Sequence, residues 1–279
     1  MINQSNNKTK MSIFFLKILK KIDNIFFFNL IKNFLRIYRV KKQKKKFKNT
    51  FKNLNSHFSY TQTNFFKKQI DNEISILCDK YGSDKGYLDF EKPTPFGWKS
   101  HSYSEIYFDL FNLKKDEIKL VFECGIGSNN PNMSNNMTVS GKPGASLRVW
   151  NDYFKNALIF GADIDKSILF SEGRIKTFHV DQLKEESIKS LWDNVNENNF
   201  DIIIDDGLHS YEGNLTMFLN SFDKLKKGGI YVIEDVHVDY LLELTFELKE
   251  YNPMIKSIYY TNRSWSDLNL NSNLITFIK

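Results

Sequence analysis

Cysteine is scarce in this chain: Cys78 and Cys124 are the only two in 279 residues, and neither sits in a paired spacing. That excludes a disulfide scaffold and a zinc ribbon, and it points to reduced thiols in a cytosolic compartment. Long apolar runs are missing too. The most hydrophobic stretch, residues 12–40, is broken by Lys17, Lys20, Lys21, Asp23, Lys32, Arg36 and Arg39, well short of the roughly 20 uninterrupted apolar residues that a spanning helix requires. The same charges, and the lack of a small-residue cleavage site after them, argue against a signal peptide. No internal repeat is visible. A complete G-x-G-x-x-G fingerprint is also absent, which disfavours a dinucleotide and with it an NAD-dependent oxidoreductase.

What is present divides unevenly. Hydrophobic residues make up 41% of the chain, enough for one sizeable packed domain with appendages. The net charge of +6 conceals two opposite halves. Residues 1–50 carry 14 Lys/Arg against the single acid Asp23, which leaves 25 basic and 32 acidic residues, a balance of −7, for 51–279. Within the tail, polar positions recur every three or four residues, so a helix there has one basic and one aromatic face. With Lys41, Lys42, Lys44, Lys45 and Lys46 directly after it, residues 12–46 read as a segment for an anionic membrane surface. A protein partner and nonspecific nucleic acid are the rival occupants. The expected organisation is a basic amphipathic tail over 1–50, a helical cap over 51–117 and an α/β domain over 118–279.

The α/β domain is read from strands that end in chemistry. Lys119 to Cys124 runs into Gly125-Ile126-Gly127, and an E-x-G-x-G turn after a strand lets backbone approach a ligand because glycine has no Cβ. Ala157 to Asp163 is the second strand, and its terminal Asp163, with Asp165 as a rival, stands where such folds bind ribose hydroxyls. The third, Ile175 to Val180, ends in Asp181-Gln182, polar groups suited to an adenine edge. Ile202-Ile203-Ile204 is short, β-branched and leads into Asp205, Asp206 and His209. Ile230 to Ile233, after the turn Lys227-Gly228-Gly229, ends in Glu234-Asp235. Met254 to Tyr260 and Leu274 to Lys279 supply a final antiparallel pair. Strand, turn, helix and strand in this order describe a Rossmann-like, doubly wound sheet, with several carboxylates and one imidazole gathered at its carboxyl edge. Carboxylates crowded there repel unless a cation compensates, and hard oxygen ligands suit a Mg2+-like ion.

Two further stretches stand outside the sheet. Tyr81-Gly82-Ser83-Asp84-Lys85-Gly86 is a turn able to hold a polar ligand, and the Asn-rich segment between Gly127 and Gly141 is too polar to pack and reads as a lid or as disorder.

In order, the blocks YGSDKG, HSYSEIY, FECGIG, GASLRVWNDYF, GADID, RIKTFHVDQ, DIIIDDGLH and GGIYVIED resemble the class I S-adenosylmethionine-dependent methyltransferases. More narrowly, they resemble the magnesium-dependent sugar O-methyltransferases of macrolide biosynthesis and the related cephalosporin-tailoring enzymes. The likeness covers about Tyr81 to Tyr240. It implies that Glu123, Gly125 and Gly127 line the methionine side of the cofactor. By the same likeness Asp163 holds the ribose, and Asp181 and Gln182 the adenine. Tyr81, Ser83, Lys85, Ser146 and Arg148 would close over the amino acid moiety. Asp206, Glu234 and Asp235 fall on the metal ligands and His209 on the general base; apart from the likeness, His237 is a second candidate base, its place after the acid pair suiting an orienting or structural role. Leu208 and Asp239 depart from the small residues usual at their positions.

The implied chemistry is coherent. An alcohol is a poor nucleophile until a cation lowers its pKa or a base takes its proton, and His209 is available in neutral form near pH 7. The expected activity is O-methylation of a sugar or sugar substituent of a surface glycan or its precursor, at the inner face of the membrane. An RNA methyltransferase is disfavoured by the acidic rim. A catalytically inactive membrane scaffold is the alternative from another class, and the acceptor and oligomeric state stay open.

Overall fold

The computed structural model describes residues 49, 52, 57–65, 71–87, 96, 98–133, 136–260 and 273–279. The basic segment 12–46 and the connection 261–272 lie outside them. The described strands are β1 Ser59–Phe65, β2 Leu120–Cys124, β3 Leu158–Asp163, β4 Ser171–Glu172, β5 Ile175–His179, β6 Phe200–Asp205, β7 Leu225–Ile233, β8 Met254–Tyr260 and β9 Asn273–Ile278. The α-helices are α1 Glu73–Tyr81, α2 Tyr103–Phe111, α3 Ala145–Tyr153, α4 Glu185–Val195, α5 Tyr211–Leu219 and α6 Leu241–Glu247.

The strands form one sheet in the order β1-β8-β9-β7-β6-β2-β3-β5-β4. Its centre, β7-β6-β2-β3-β5, is parallel, while β9 runs antiparallel to both β7 and β8. Chain order reverses at β2, which pairs with β3 on one side and β6 on the other. Ligand crevices in open α/β sheets open at such a switch point, outside the carboxyl ends of the strands. This is the expected Rossmann-like architecture with its antiparallel edge.

β2, β3, β6 and the second half of β7 are apolar on both faces because helices cover both. Phe122, Phe160, Ile203 and Tyr231 pack with Trp192 of α4 and Phe218 of α5 on one face. Val121, Ile159, Ile202, Ile204 and Val232 pack on the other with Tyr107 and Phe111 of α2 and Trp150 of α3. The period-two alternation of Ile202, Ile203 and Ile204 thus feeds both cores. Helix α1 starts at a full capping box, in which the Asn72 side chain accepts from Ser75 N–H and the Ser75 hydroxyl accepts from Asn72 N–H.

Two expectations are corrected. Residues 59–65 are not part of a helical cap but an edge strand, parallel to β8 in the register Ser59↔Met254. Threonines and aromatics favour a strand, but the partner lies far downstream and local pattern cannot reveal it. The glycine pair after Lys227 does not end in a turn before the strand. It lies inside β7, where a register shift opposite Phe200 and Ile202 absorbs it. There Gly228 N–H donates to Lys279 O at 2.7 Å, with Gly228 at φ +76°.

Candidate active site

The carboxyl edge is built around close backbone approach. Gly125 has φ +84°, and a Cβ there would lie 2.0 Å from Asp206 O. Only glycine lets the β2 turn nest against the β6 turn, where Asp206 N–H donates to Cys124 O at 2.9 Å. Asp163 secures the same turn by accepting from Ile126 N–H at 3.0 Å and Asp165 N–H at 2.9 Å. Burial nonetheless holds its carboxyl above the usual range against those hydrogen bonds. Each carboxylate oxygen keeps a second lone pair with which to accept from a ligand hydroxyl. Asp165 accepts from Ser128 Oγ at 2.5 Å, so both acids brace the glycine cradle.

Beside the cradle, Asp206, His209 and Asp235 each offer a ligand atom within 4.8 Å of the others. His209 Nε2 is 4.0 Å from Asp206 Oδ1 and 4.0 Å from Asp235 Oδ2. Both His209 (φ +53°) and Asp235 (φ +51°) hold left-handed backbone. Non-glycine residues take up this backbone infrequently, Asp and His more readily than most. Burial pushes Asp206 up to about 7, opposed by Lys85 and His209 and reinforced by Asp235. Oxygen-rich, mutually repelling and spaced for a shared ion, the residues present fit a hard divalent cation.

Glu234 has other partners. It is fully buried, accepts from Lys85 Nζ at 2.7 Å, and takes the Tyr107 hydroxyl on its other oxygen. Lys85 Nζ also reaches Asp206 Oδ2 at 2.6 Å and Glu123 Oε1 at 3.5 Å, while Glu123 accepts from Trp150 Nε1. One ammonium therefore lies among three carboxylates. Asp235 accepts from the Tyr103 hydroxyl and faces His101, whose ring stacks on Tyr103 and reaches Asp84 on its other edge at 3.5 Å. Burial works against charge on His101, but Asp235 and Asp84 outweigh it and raise its pKa to about 10. Asp84 is held in turn by Trp98 Nε1 at 2.8 Å.

The structure thus brings together Lys85, Glu123, Asp206, His209, Glu234 and Asp235. Others named from sequence are engaged elsewhere. Tyr81 donates to Asp152 at 2.5 Å, tying α1 to α3. Ser83 accepts from Lys85 N–H, and Ser146 is buried at the start of α3. Arg148 pairs with Glu172 at 2.7 Å and lies over Phe170. Asp181 pairs with Lys184 at 2.8 Å. Gln182 bridges the rim internally, donating to Asp205 at 2.6 Å and accepting from Leu208 N–H at 2.7 Å. His237 accepts from Asp239 N–H within its own turn. Met137 lies back on the cradle, its N–H donating to Ser128 O at 2.6 Å and its side chain filling the space that glycine leaves at Gly127 and Gly141.

Sequence reading did not assign His101, Tyr103, Tyr107 or Trp150. The one available signal is the i,i+4 spacing of Tyr103 and Tyr107, which sets both hydroxyls on the same face of α2.

Fold and site together are those of a Rossmann-like domain with a glycine cradle beside an acidic, cation-ready rim. Over about 60% of its length the chain is similar to curated O-methyltransferases. The 8-demethyl-8-alpha-L-rhamnosyl tetracenomycin-C 2'-O-methyltransferase of Streptomyces olivaceus is 32% identical over 167 residues, 60% of this chain and 38% of that protein. The mycinamicin VI 2''-O-methyltransferase of Micromonospora griseorubida is 37% identical over 170 residues, 60% of this chain and 37% of that protein. The chain spans under two fifths of the length of either. A solved structure of MycE methyltransferase from the mycinamycin biosynthetic pathway, in complex with Mg and SAH, is similar at 29% identity and a TM-score of 0.48, covering 63% of this chain and 42% of that one. No family model matches the chain.

Proposed function

We propose that this chain is an S-adenosylmethionine-dependent, metal-assisted O-methyltransferase whose acceptor is a sugar hydroxyl. The observation that carries the reading is the Asp206–His209–Asp235 group, at the edge of β6 and β7 and next to the Glu123–Gly127 cradle. The activity of the curated relatives agrees with it. A divalent ion at the two aspartates would lower the pKa of the acceptor hydroxyl. His209 would take the proton at Nε2, the nitrogen that lies 4.0 Å from a carboxylate oxygen of each aspartate. Magnesium prefers oxygen donors, so His209 is assigned as base rather than ligand. Glu234 joins the ligand set only by giving up Lys85.

Titration calorimetry tests the reading. S-adenosylhomocysteine should bind the wild type and not Asp163→Ala. Asp206→Asn, or chelation, should end turnover on a rhamnosyl acceptor and leave cofactor binding intact. An Asp206→Asn enzyme with full activity sinks the metal step.

A surface-glycan acceptor and attachment to anionic membrane are finer readings supported only by the sequence of residues 12–46. No helix among the described residues is long and apolar enough to cross a membrane. Retention on phosphatidylserine vesicles that survives deletion of residues 1–50 would remove the tail's role.

A further inference from the structure

We propose that Lys85 is a built-in counter-cation of the acidic rim, competing with the divalent ion for Asp206 and Glu234 and so setting the affinity of that site. The inference rests on the metal reading above. The side chain of Lys85 is 2% exposed. Its ammonium lies 2.6 Å from Asp206, 2.7 Å from Glu234 and 3.5 Å from Glu123, and so spans the cradle acid and the rim acids. A buried cation is stable only where anions surround it, and three are gathered here.

The loop that delivers it is locked. His101 N–H donates to Asp84 O at 2.7 Å, Ser104 N–H to Lys85 O at 2.8 Å and Ser102 N–H to Gly86 O at 2.8 Å. Lys85 is thereby fixed to the start of α2, whose Tyr107 takes the remaining oxygen of Glu234. Asp206 is shared. Its Oδ2 faces Lys85 and its Oδ1 faces His209, on the side where Asp235 would share an ion with it. A positive charge fixed on one oxygen of a ligand opposes a second cation on the other, and at low local dielectric that opposition is strong. The device keeps the acid cluster folded when no ion is bound, at the cost of a weaker grip on the ion.

The experiment is Mn2+ binding, read by electron paramagnetic resonance of free Mn2+, for wild type, Lys85→Met and Asp206→Asn in the full chain. Lys85→Met should bind Mn2+ at least ten-fold more tightly than wild type, and Asp206→Asn should not bind. Wild type and Lys85→Met binding alike, or Lys85→Met binding more weakly, overturns the counter-cation assignment and leaves the metal reading standing. If neither binds, the metal reading fails and this inference goes with it. Lys85→Gln, which keeps a donor for Asp206 and Glu234 without the charge, should gain affinity in the same way. Should both variants fail to fold, the Lys85 ammonium resonance of 15N-lysine-labelled wild type decides. It shifts as Mg2+ saturates if the two cations share ligands, and an unmoved signal refutes the sharing.

Discussion

Replacing Gly125 with alanine tests the nesting of the β2 turn against the β6 turn, on which the candidate site depends. Two costs add. The backbone at φ +84° is left-handed, which costs an L-residue about 1–2 kcal/mol. The new Cβ would also stand 2.0 Å from Asp206 O, 2.5 Å from Asp206 C and 2.6 Å from Gly207 Cα, all backbone atoms with no rotamer to change. Overpacking of that kind costs about 1–3 kcal/mol. The sum, about 2–5 kcal/mol, is a large share of the roughly 5–15 kcal/mol typical of a domain. An internal control separates the two costs, because Gly173 also has positive φ (+56°) but nothing within 4 Å of its Cβ. Gly173→Ala should show only the first. Urea unfolding monitored by circular dichroism gives both values from midpoints at constant slope. Relieving the clash moves the Asp206 peptide by about 1 Å, enough to lower turnover roughly 100-fold in Gly125→Ala that still folds. If Gly125→Ala costs no more than Gly173→Ala and turns over normally, the two turns do not nest as described.

The same geometry sets two further outcomes. His101 has its pKa raised from 6.5 to about 10, so in metal-free protein its ion pairs contribute stability that is complete below about pH 6.5 and lost as pH rises towards 10. Urea midpoints measured between pH 6 and 10 should fall for wild type and lie flatter for His101→Gln, and parallel slopes would contradict the pairing. Arg174 donates to the carbonyls of Phe154, Ala157 and Asn151 at the end of α3. Charged hydrogen bonds contribute about 1.5–3 kcal/mol each at most, and Arg174→Met should therefore cost about 2 kcal/mol or more in the same assay without changing cofactor affinity.

How much of the site is legible before folding depends on sequence distance. Ile202-Ile203-Ile204 with Asp206 and His209, the Glu123–Gly127 turn, and Glu234-Asp235 are contiguous. A β-branched run says strand, and residues just past the carboxyl end of a parallel strand face the crevice, so local pattern placed the acids at one edge. The partners of those acids obeyed no such rule. Lys85 reaches Asp206 and Glu234 from a turn before α2, and Gln182, which a local reading assigns to adenine, also bonds to Asp205 and Leu208 N–H across the rim. His101, Tyr103 and Tyr107 look like the start of an aromatic helix until α2 packs on the sheet.

Composition and period-two and helical patterning were enough to establish the α/β class, the succession of the central strands along the chain and the acids at their carboxyl ends, because each depends on neighbours within a few residues. Which carboxylates lie beside His209, which pair with an internal ammonium, and where Ser59–Phe65 finds a partner are decided by packing between segments far apart in the chain. Such contacts depend on how layers close over the sheet, and a linear pattern carries no record of that closure.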